Sequence, residues 1–209
     1  MKVESLKTLP DRAGRYWVTF DDGSKMGLYR QTVEDFALYS GKELDEQEAE
    51  SLRTAAGQMS AKMRAVRIVS AASVSRRDLE ARLVRKGEDP QQAKEAVAWM
   101  EDLHLVDDRA TAEQVVSSCI SKGYGLARAK QALYEKRIPK EYWDEVLADY
   151  PDQTEKITAF LKSRLDADSD EKQVRRAVDA LIRRGHSYVN VRRALDALSF
   201  DTEDFQEEF

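Results

Sequence analysis

Two adjacent acids, Asp107 and Asp108, are the first residues in this sequence whose types could support chemistry. Carboxylates bind metal ions as members of a ligand cluster, and this pair has no partner cluster. Adjacent acids of this kind are typical of a helix start, where a carboxylate accepts hydrogen bonds from free backbone N–H groups and faces the positive end of the helix dipole. We therefore interpret the pair as a helix cap, with metal binding as the weaker alternative.

The segment Lys122-Gly123-Tyr124-Gly125 is rich in glycine, as phosphate-binding loops are. It lacks the pattern Gly-x-x-x-x-Gly-Lys-Ser/Thr, and no predicted strand precedes it. A turn between two helices accounts better for these glycines, because glycine readily adopts the left-handed backbone that ends a helix. Within this turn, Tyr124 is a candidate for an exposed contact with a partner.

One cysteine and two histidines complete the potentially reactive side chains. Cys119 lies in a helical apolar stripe with Val116, which predicts a buried thiol rather than a nucleophile. His104 and His186 fall in predicted turns and are too isolated to form a base or a zinc site. Because a triad, a metal set and a phosphate loop are all missing from the pattern, we predict a protein that is not an enzyme and needs no cofactor.

Basic residues recur in the predicted middle helices and turns of three consecutive segments. About half of them are expected to lie on solvated helix faces and form intrahelical pairs. The rest are expected to align into one stripe that faces DNA phosphates or an acidic protein surface, because repeats present equivalent positions along one face. With Tyr124, the candidate partner-binding residues are Arg76, Arg77, Arg82, Arg85, Lys86, Lys122, Arg128, Lys130, Arg175, Arg176, Arg183 and Arg184.

The charge of the whole chain is acidic, at −5 over 209 residues. This argues against a protein that coats nucleic acid generally, because such proteins use an excess of Lys and Arg to displace counterions from phosphates. The cations are concentrated locally instead, and residues 62–88 carry eight cationic and three acidic side chains. Acidic residues are concentrated at 43–50 and 201–209.

Composition also bounds the fold and the compartment. Hydrophobic residues make up 42% and charged residues 35%, with only 9 Gly and 4 Pro, a mixture that favours helices. A single cysteine fits a reducing compartment. The N-terminus lacks the apolar core of a signal peptide, and no later run reaches the roughly 20 apolar residues of a membrane span. We predict a cytoplasmic protein that does not contact membranes.

The first 30 residues differ from the rest, because their apolar residues occur in three short segments separated by turn residues. This pattern predicts three short strands. Asp22-Gly23 lies between the second and third segments and predicts a hairpin with a tight primed turn, in which glycine takes a positive φ.

Two helix starts follow the predicted strands. Thr32 is the predicted cap of a short helix that runs through Leu38, with Gly41 beyond its end. Asp45 and Glu48 have the spacing of a capping box, which starts a second helix that continues past Gly57.

Internal repetition organises the remainder of the chain, where the apolar spacing is helical. Three segments align on Leu83, Leu133 and Leu181, which are 50 and 48 residues apart. Each segment predicts the end of a middle helix, with basic residues at the negative end of the helix dipole. The first helices of the three units are predicted at 61–71, 109–120 and 154–165, and the third helices at 90–103, 140–148 and 188–198.

These elements predict a mainly α protein, an elongated tandem array of three three-helix repeats with a small N-terminal three-strand extension. The predicted segments are the extension at 1–58 and the repeats at 59–106, 107–150 and 151–209, the last with an acidic tail. A unit of about 45 to 50 residues has too little core to be very stable alone, so neighbouring units are expected to stack.

The ordered motifs across residues 59–198 resemble the RecX family. The motifs that carry the resemblance are Ser75-Arg76-Arg77-Asp78-Leu79, Leu83, Lys86-Gly87, Leu105-Val106-Asp107-Asp108-Arg109, Lys122-Gly123-Tyr124-Gly125 and Ile138-Pro139. Arg137 departs from the pattern, because the second repeat of the family commonly has glycine there. The third repeat is divergent.

The resemblance implies a regulatory protein of DNA repair, recombination and the SOS response. Such a protein binds the groove of the filament that the RecA recombinase forms on DNA, and it inhibits recombinase, ATPase and coprotease activities. We expect a monomer whose partner is the RecA filament, with direct contact to single- or double-stranded DNA left open. The alternative is a stand-alone DNA-binding helical module that competes for DNA, which a steep salt dependence would reveal.

Overall fold

The computed structural model describes residues 1–9, 14–166 and 168–198. The chain divides into two compact units, the first Met1–Asp107 and the second beginning at Asp108. A three-stranded antiparallel sheet opens the first unit, in the order β1 (Val3–Thr8), β2 (Arg15–Phe20) and β3 (Lys25–Tyr29). The helices are α1 (Arg30–Asp35), α2 (Glu46–Ala71), α3 (Arg76–Arg85), α4 (Pro90–Asp102), α5 (Asp108–Ser121), α6 (Leu126–Glu135), α7 (Trp143–Leu147), α8 (Thr154–Lys162), α9 (Glu171–Arg183) and α10 (Tyr188–Asp196).

The hairpin predicted at Asp22-Gly23 is confirmed, but the predicted type of turn, a tight primed turn, is wrong. Phe20 donates its N–H to the Ser24 carbonyl at 3.0 Å. The loop between these two paired residues therefore has three residues, 21–23, rather than two. Gly23 has φ 81°, and Asp22 is not among the positive-φ residues that the described part of the chain contains. A primed type I turn needs two such residues, whereas a three-residue loop needs one left-handed position at its end.

Helix α1 begins and ends earlier than predicted. It follows β3 directly, its N-cap is Tyr29 with no side-chain hydrogen bond, and Thr32 lies buried within it. The predicted Thr32 cap is therefore wrong. The helix stops at Asp35 because Ala37 takes φ 44° and Leu38 donates its N–H back to Val33, which brings Leu38 into the core.

The capping box at the start of α2 is confirmed, and the helix continues past Gly57 as predicted. Glu48 donates its N–H to the Asp45 carboxylate at 2.7 Å, and Asp45 returns its own N–H to Glu48 at 3.1 Å. The predicted boundary at residue 58 lies inside this continuous helix. A Cβ on Gly57 would approach the Gln92 amide of α4 to 2.3 Å, so the end of this flexible side chain occupies the space that glycine leaves open.

Four hydrophobic clusters follow one another along the described part of the chain. The first joins the sheet to the start of α2, and the second joins the end of α2 to α3 and α4. In the second unit, one cluster joins α5 to α6 and α7, and another joins α8 to α9 and α10. Each repeat therefore has a core of its own in which three helices meet.

The middle helices end in the same way in all three repeats, which confirms the alignment of the repeats. Leu83, Leu133 and Leu181 are fully buried, and the carbonyl of each accepts the N–H of the residue five positions later. The residue before that donor has a left-handed backbone, Gly87 at φ 89°, Arg137 at 55° and Gly185 at 84°. This is a Schellman ending, which satisfies carbonyls that the last turn leaves free.

The outer helices of the repeats lie near their predicted positions. α4 begins at Pro90 and α10 at Tyr188, as predicted, and Asp89 and Ser187 cap these helices. α5 begins at the buried Asp108, where the acid pair predicted a helix start. The predicted helix at 140–148 is shorter, a 3-10 turn at Lys140–Tyr142 that runs into α7.

Candidate functional site

The candidate cations of the first repeat divide into paired and unpaired residues. Arg76 bonds to Glu101 of α4 at 2.8 Å, and Arg82 bonds to Asp78 one turn earlier at 2.9 Å. The exposed Arg77, Arg85 and Lys86 form no ion pair with any residue that the structure describes. These last three are the residues of this repeat that remain open to an anionic partner.

Helix α6 of the second repeat presents a mixed apolar and cationic face. Leu126, Lys130 and Tyr134 are four residues apart in turn, so they lie along one side of the helix. Leu126 is 41% exposed and Tyr134 is 68% exposed, and Lys130 between them is exposed. Sequence reasoning named Lys130 but missed the two apolar residues, although their spacing sets them apart from the buried residues of the same helix.

Arg128 on α6 is tied to an acid rather than free. Its guanidinium bonds to Glu135 at 2.9 Å, which raises the pKa of Arg128 and lowers that of Glu135. Both side chains are partly exposed to solvent, which screens the charges, so this pair contributes little to stability.

The third repeat keeps exposed cations on α9. Arg175, Arg176 and Arg183 are exposed and form no ion pair within the described ranges. Arg184, at the end of α9, places its guanidinium 4.5 Å from the ring centroid of Phe160, a cation–π contact.

The pattern of cations is not repeated position by position. The repeat alignment places Lys86, Lys136 and Arg184 at equivalent positions, each the residue that follows the middle helix. By contrast, the position of Arg85 holds Glu135 in the second repeat. A continuous stripe across the three repeats stays a prediction.

The glycine-rich turn joins the second repeat to the third. Gly125 donates its N–H to the Arg184 carbonyl at 2.9 Å, and the Gly123 carbonyl contacts the His186 imidazole at 3.0 Å. A Cβ on Gly125 would lie 2.0 Å from the Gly185 carbonyl oxygen. The prediction of a helix-to-helix turn is confirmed, and the glycines also let two backbones pack against each other.

Tyr124 contributes less surface than expected. Its side chain is only half-exposed, and its carbonyl accepts a hydrogen bond from the Tyr150 hydroxyl at 2.7 Å. Burial raises the pKa of Tyr150 to about 12, so this hydroxyl stays protonated and able to donate. The backbone of Tyr124 is thus held by Tyr150, and its side chain is only partly available to a partner.

Cys119 and His186 are buried, and neither is arranged as a reactive centre. Burial raises the pKa of the Cys119 thiol, which disfavours the nucleophilic thiolate, as predicted. Burial also lowers the pKa of His186, whose ring is occupied by the Gly123 carbonyl. Among the described residues no group of three or more His, Cys, Asp or Glu side chains could hold a metal ion.

The two tryptophans of the third helices, Trp99 and Trp143, pack on the cores of their repeats. Trp143 donates its indole N–H to the Ile138 carbonyl at 3.1 Å and packs on the core of its repeat. Trp99 packs on the core of the first repeat, with the Lys62 ammonium 5.4 Å from its ring centroid.

Comparison with known proteins matches this arrangement of helices and motifs to one family. The family model described as "RecX, second three-helix domain" matches residues 107–147, which hold α5, α6, the glycine-rich turn and α7. The regulatory protein RecX of Halorhodospira halophila is 30% identical over 142 residues, which cover 66% of this chain and 88% of that protein. The chain belongs to the RecX family.

Similarity to the RecX family extends over nearly the whole chain. The regulatory protein RecX of Clostridioides difficile is 25% identical over 210 residues and matches 97% of each chain. This match includes the N-terminal sheet as well as the three repeats. The relatives are named regulatory proteins, so a regulatory role follows for this chain.

Solved structures of RecX proteins share the fold. A crystal structure of regulatory protein RecX aligns with a TM-score of 0.63 at 21% identity and covers 93% of this chain and 98% of that one. RecX from Lactobacillus salivarius aligns with a TM-score of 0.59 at 21% identity and covers 69% of this chain. Within the described ranges, none of the helices has the length and apolarity needed to cross a membrane.

Proposed function

We propose that this chain binds the filament of RecA on DNA and inhibits its recombinase, ATPase and coprotease activities. The observation that carries the proposal is membership of the RecX family, whose matched relatives are named regulatory proteins. The chain then acts as a cytoplasmic monomer in DNA repair, recombination and the SOS response. It works by binding, through its side chains alone and without a cofactor.

Exposed cations that lack acidic partners support the proposal. Arg77 and Arg85 on α3 and Arg175 and Arg183 on α9 are exposed, and no carboxylate of the described chain neutralises them. Such residues can meet phosphate groups or acidic protein surface without first breaking an internal ion pair. The same reasoning gives Arg76 and Arg82 a structural role, because each already holds a carboxylate.

The direct test adds the purified protein to RecA on single-stranded DNA and follows ATP hydrolysis and strand exchange. Both rates are expected to fall as the protein approaches stoichiometric amounts. Unchanged rates at those amounts would count heavily against the proposal.

Charge reversal tests the role of the exposed cations. Arg77→Glu is the informative variant, because Arg77 has no ion pair among the described residues to lose. Lys94→Glu is the matched control, since Lys94 is exposed on α4 and likewise forms no described ion pair. The first variant is expected to weaken inhibition and the second to preserve it.

A stand-alone DNA-binding module is the second candidate, and the same exposed cations favour it. Phosphate contacts release counterions, so binding to DNA weakens as salt rises. For each tenfold increase in salt concentration, the logarithm of the binding constant would fall by about 0.9 per phosphate contact. If the chain instead docks on the filament through a partly apolar face such as that of α6, its affinity should fall less steeply as the salt concentration rises. Binding to DNA alone and to the RecA filament, measured over the same salt range, separates the two candidates.

A further inference from the structure

A basic pocket lies at the junction of the second and third repeats, within the second unit. It has a volume of about 340 Å³ and is formed by the end of α5, the face of α8 and the end of α9. Its polar lining includes Ser121, Lys122, Lys156, Arg184 and His186. Pockets of this size bind small molecules or single groups of larger ones.

No carboxylate lines this pocket among the residues that the structure describes. Lys122 and Arg184 are both exposed and form no ion pair with any residue that the structure describes, and the Arg184 guanidinium contacts the Phe160 ring. Three cationic side chains around one cavity repel one another unless an anion lies among them. Their convergence from α8 and from the ends of α5 and α9 therefore points to an anionic occupant.

Three backbone carbonyls beside the pocket already accept hydrogen bonds. The Lys156 ammonium donates to the Ile120 carbonyl, and the His186 ring contacts the Gly123 carbonyl. The Gly125 N–H donates to the Arg184 carbonyl. Occupied carbonyls compete less for the cations, which keep further donors available. The Lys156 ammonium has three N–H groups, and the Arg184 guanidinium has five.

His186 shows the electrostatic character of the cavity. Its pKa is lowered first by burial and also by the charge of Arg184. The imidazole therefore stays neutral near pH 7, and the positive charge of the pocket comes from the lysines and the arginine.

We propose that the pocket formed by Lys122, Lys156 and Arg184 binds a phosphate group. Guanidinium and ammonium donors together form the charge-assisted hydrogen bonds that phosphate oxygens accept, and the Ser121 hydroxyl adds a neutral donor. The group belongs either to a nucleic-acid backbone or to a small phosphorylated molecule. This site goes beyond the proposed function, because it does not depend on RecA. Phosphate binding can therefore be measured on this chain alone.

Titration calorimetry of the full chain with inorganic phosphate tests the pocket, with sodium chloride at matched ionic strength as the reference. Saturable binding of phosphate is expected. Lys122→Gln is expected to weaken it about tenfold, the effect of losing one charge-assisted contact. Lys162→Gln is the matched control, because Lys162 is exposed on α8 and does not line the pocket. The control is expected to bind phosphate like the unchanged protein.

A second pair of variants separates charge from fold. Arg184→Gln is expected to weaken phosphate binding as Lys122→Gln does, and Arg184→Lys is expected to retain part of it. A thermal melt confirms that each variant is folded. The proposal is overturned if phosphate does not saturate the folded protein, or if Lys122→Gln and Lys162→Gln bind it equally well.

A labelled oligothymidylate and ATP identify the source of the phosphate. If Lys122→Gln weakens oligonucleotide binding and phosphate competes with the oligonucleotide, the pocket takes a backbone phosphate. If the variant weakens only ATP and inorganic phosphate, the ligand is a small phosphorylated molecule. Either result supports the phosphate site. If Lys122→Gln and the control Lys162→Gln bind every probe equally well, the site is contradicted.

Discussion

The backbone N–H of Gly125 donates to the carbonyl of Arg184 at 2.9 Å and so joins the turn of the second repeat to the end of the middle helix of the third. Two backbones can approach this closely only where neither carries a side chain in the gap. A Cβ on Gly185 would lie 2.2 Å from the Arg128 nitrogen, well inside contact distance. The glycines of both turns are therefore part of the packing between these repeats.

Alanine at Gly185 is expected to destabilise the third repeat more than alanine at Gly87 destabilises the first. Both glycines have left-handed backbones, at φ 84° and 89°, so both variants incur about 1 to 2 kcal/mol of backbone strain. Gly87 has no heavy atom within 4 Å of an added Cβ, whereas Gly185 has Arg128 there. Overpacking adds about 1 to 3 kcal/mol at Gly185 only. Hydrogen exchange of α3 and α9 measures the two losses, and equal losses would contradict the packing role.

The repeat register and several caps could be predicted from the sequence because they depend on local chemistry. The left-handed residue after the middle helix is marked by glycine in two repeats, and the alignment then locates the third at Arg137. Asp45 caps α2, as its spacing to Glu48 predicts, because a short polar side chain accepts a hydrogen bond from a nearby backbone N–H. Such signals extend over a few residues and need no knowledge of tertiary packing.

The features that sequence reasoning missed depend on tertiary contacts. Lys156 was not among the candidate residues, because only the folded junction brings it beside Lys122 and Arg184. The pairing of Arg76 with Glu101 likewise joins two helices that no spacing rule connects. The Thr32 cap was wrong because α1 continues directly from β3, so the local cap signal was overridden by the sheet.

Glycine at Arg137 is expected to stabilise the second repeat. Arg137 has φ 55°, a conformation that strains a residue with a Cβ by about 1 to 2 kcal/mol and leaves glycine unstrained. Its side chain is exposed and forms no ion pair in the described part of the chain. Lys130→Gly is the control, because glycine inside α6 should destabilise by about 1 kcal/mol. Urea unfolding measures both variants, and a loss of stability in Arg137→Gly would contradict the strain.

Stability of the second unit is expected to fall as the pH drops below about 6.5, the ordinary pKa of histidine. His186 has a lowered pKa in the folded chain, so the unfolded chain binds a proton first as the pH falls. Stability from this group is therefore complete above the unfolded pKa and is lost as the pH falls toward the folded one.

The contribution of His186 is isolated by comparing variants. His186→Gln keeps a donor for the Gly123 carbonyl and removes the titration, so its melting temperature should depend less on pH between 7 and about 5. His104→Asn is the control, because His104 lies exposed in a turn of the first unit at φ 53°, which asparagine tolerates. If the unchanged protein and His186→Gln show the same pH dependence, His186 does not carry it.

Alanine at Tyr134 is expected to weaken binding to the RecA filament about tenfold, or ~1.4 kcal/mol. Tyr134 is 68% exposed on the same face of α6 as Lys130, and an aromatic side chain beside a cation is typical of residues that dominate binding energy. Tyr39→Ala is the matched control, because Tyr39 is 63% exposed outside the helices of the three repeats. Sedimentation of the protein with RecA filaments measures both affinities. Equal affinity of the two variants would contradict a binding surface on α6. A loss of affinity confined to Tyr134→Ala would indicate that α6 contacts the filament.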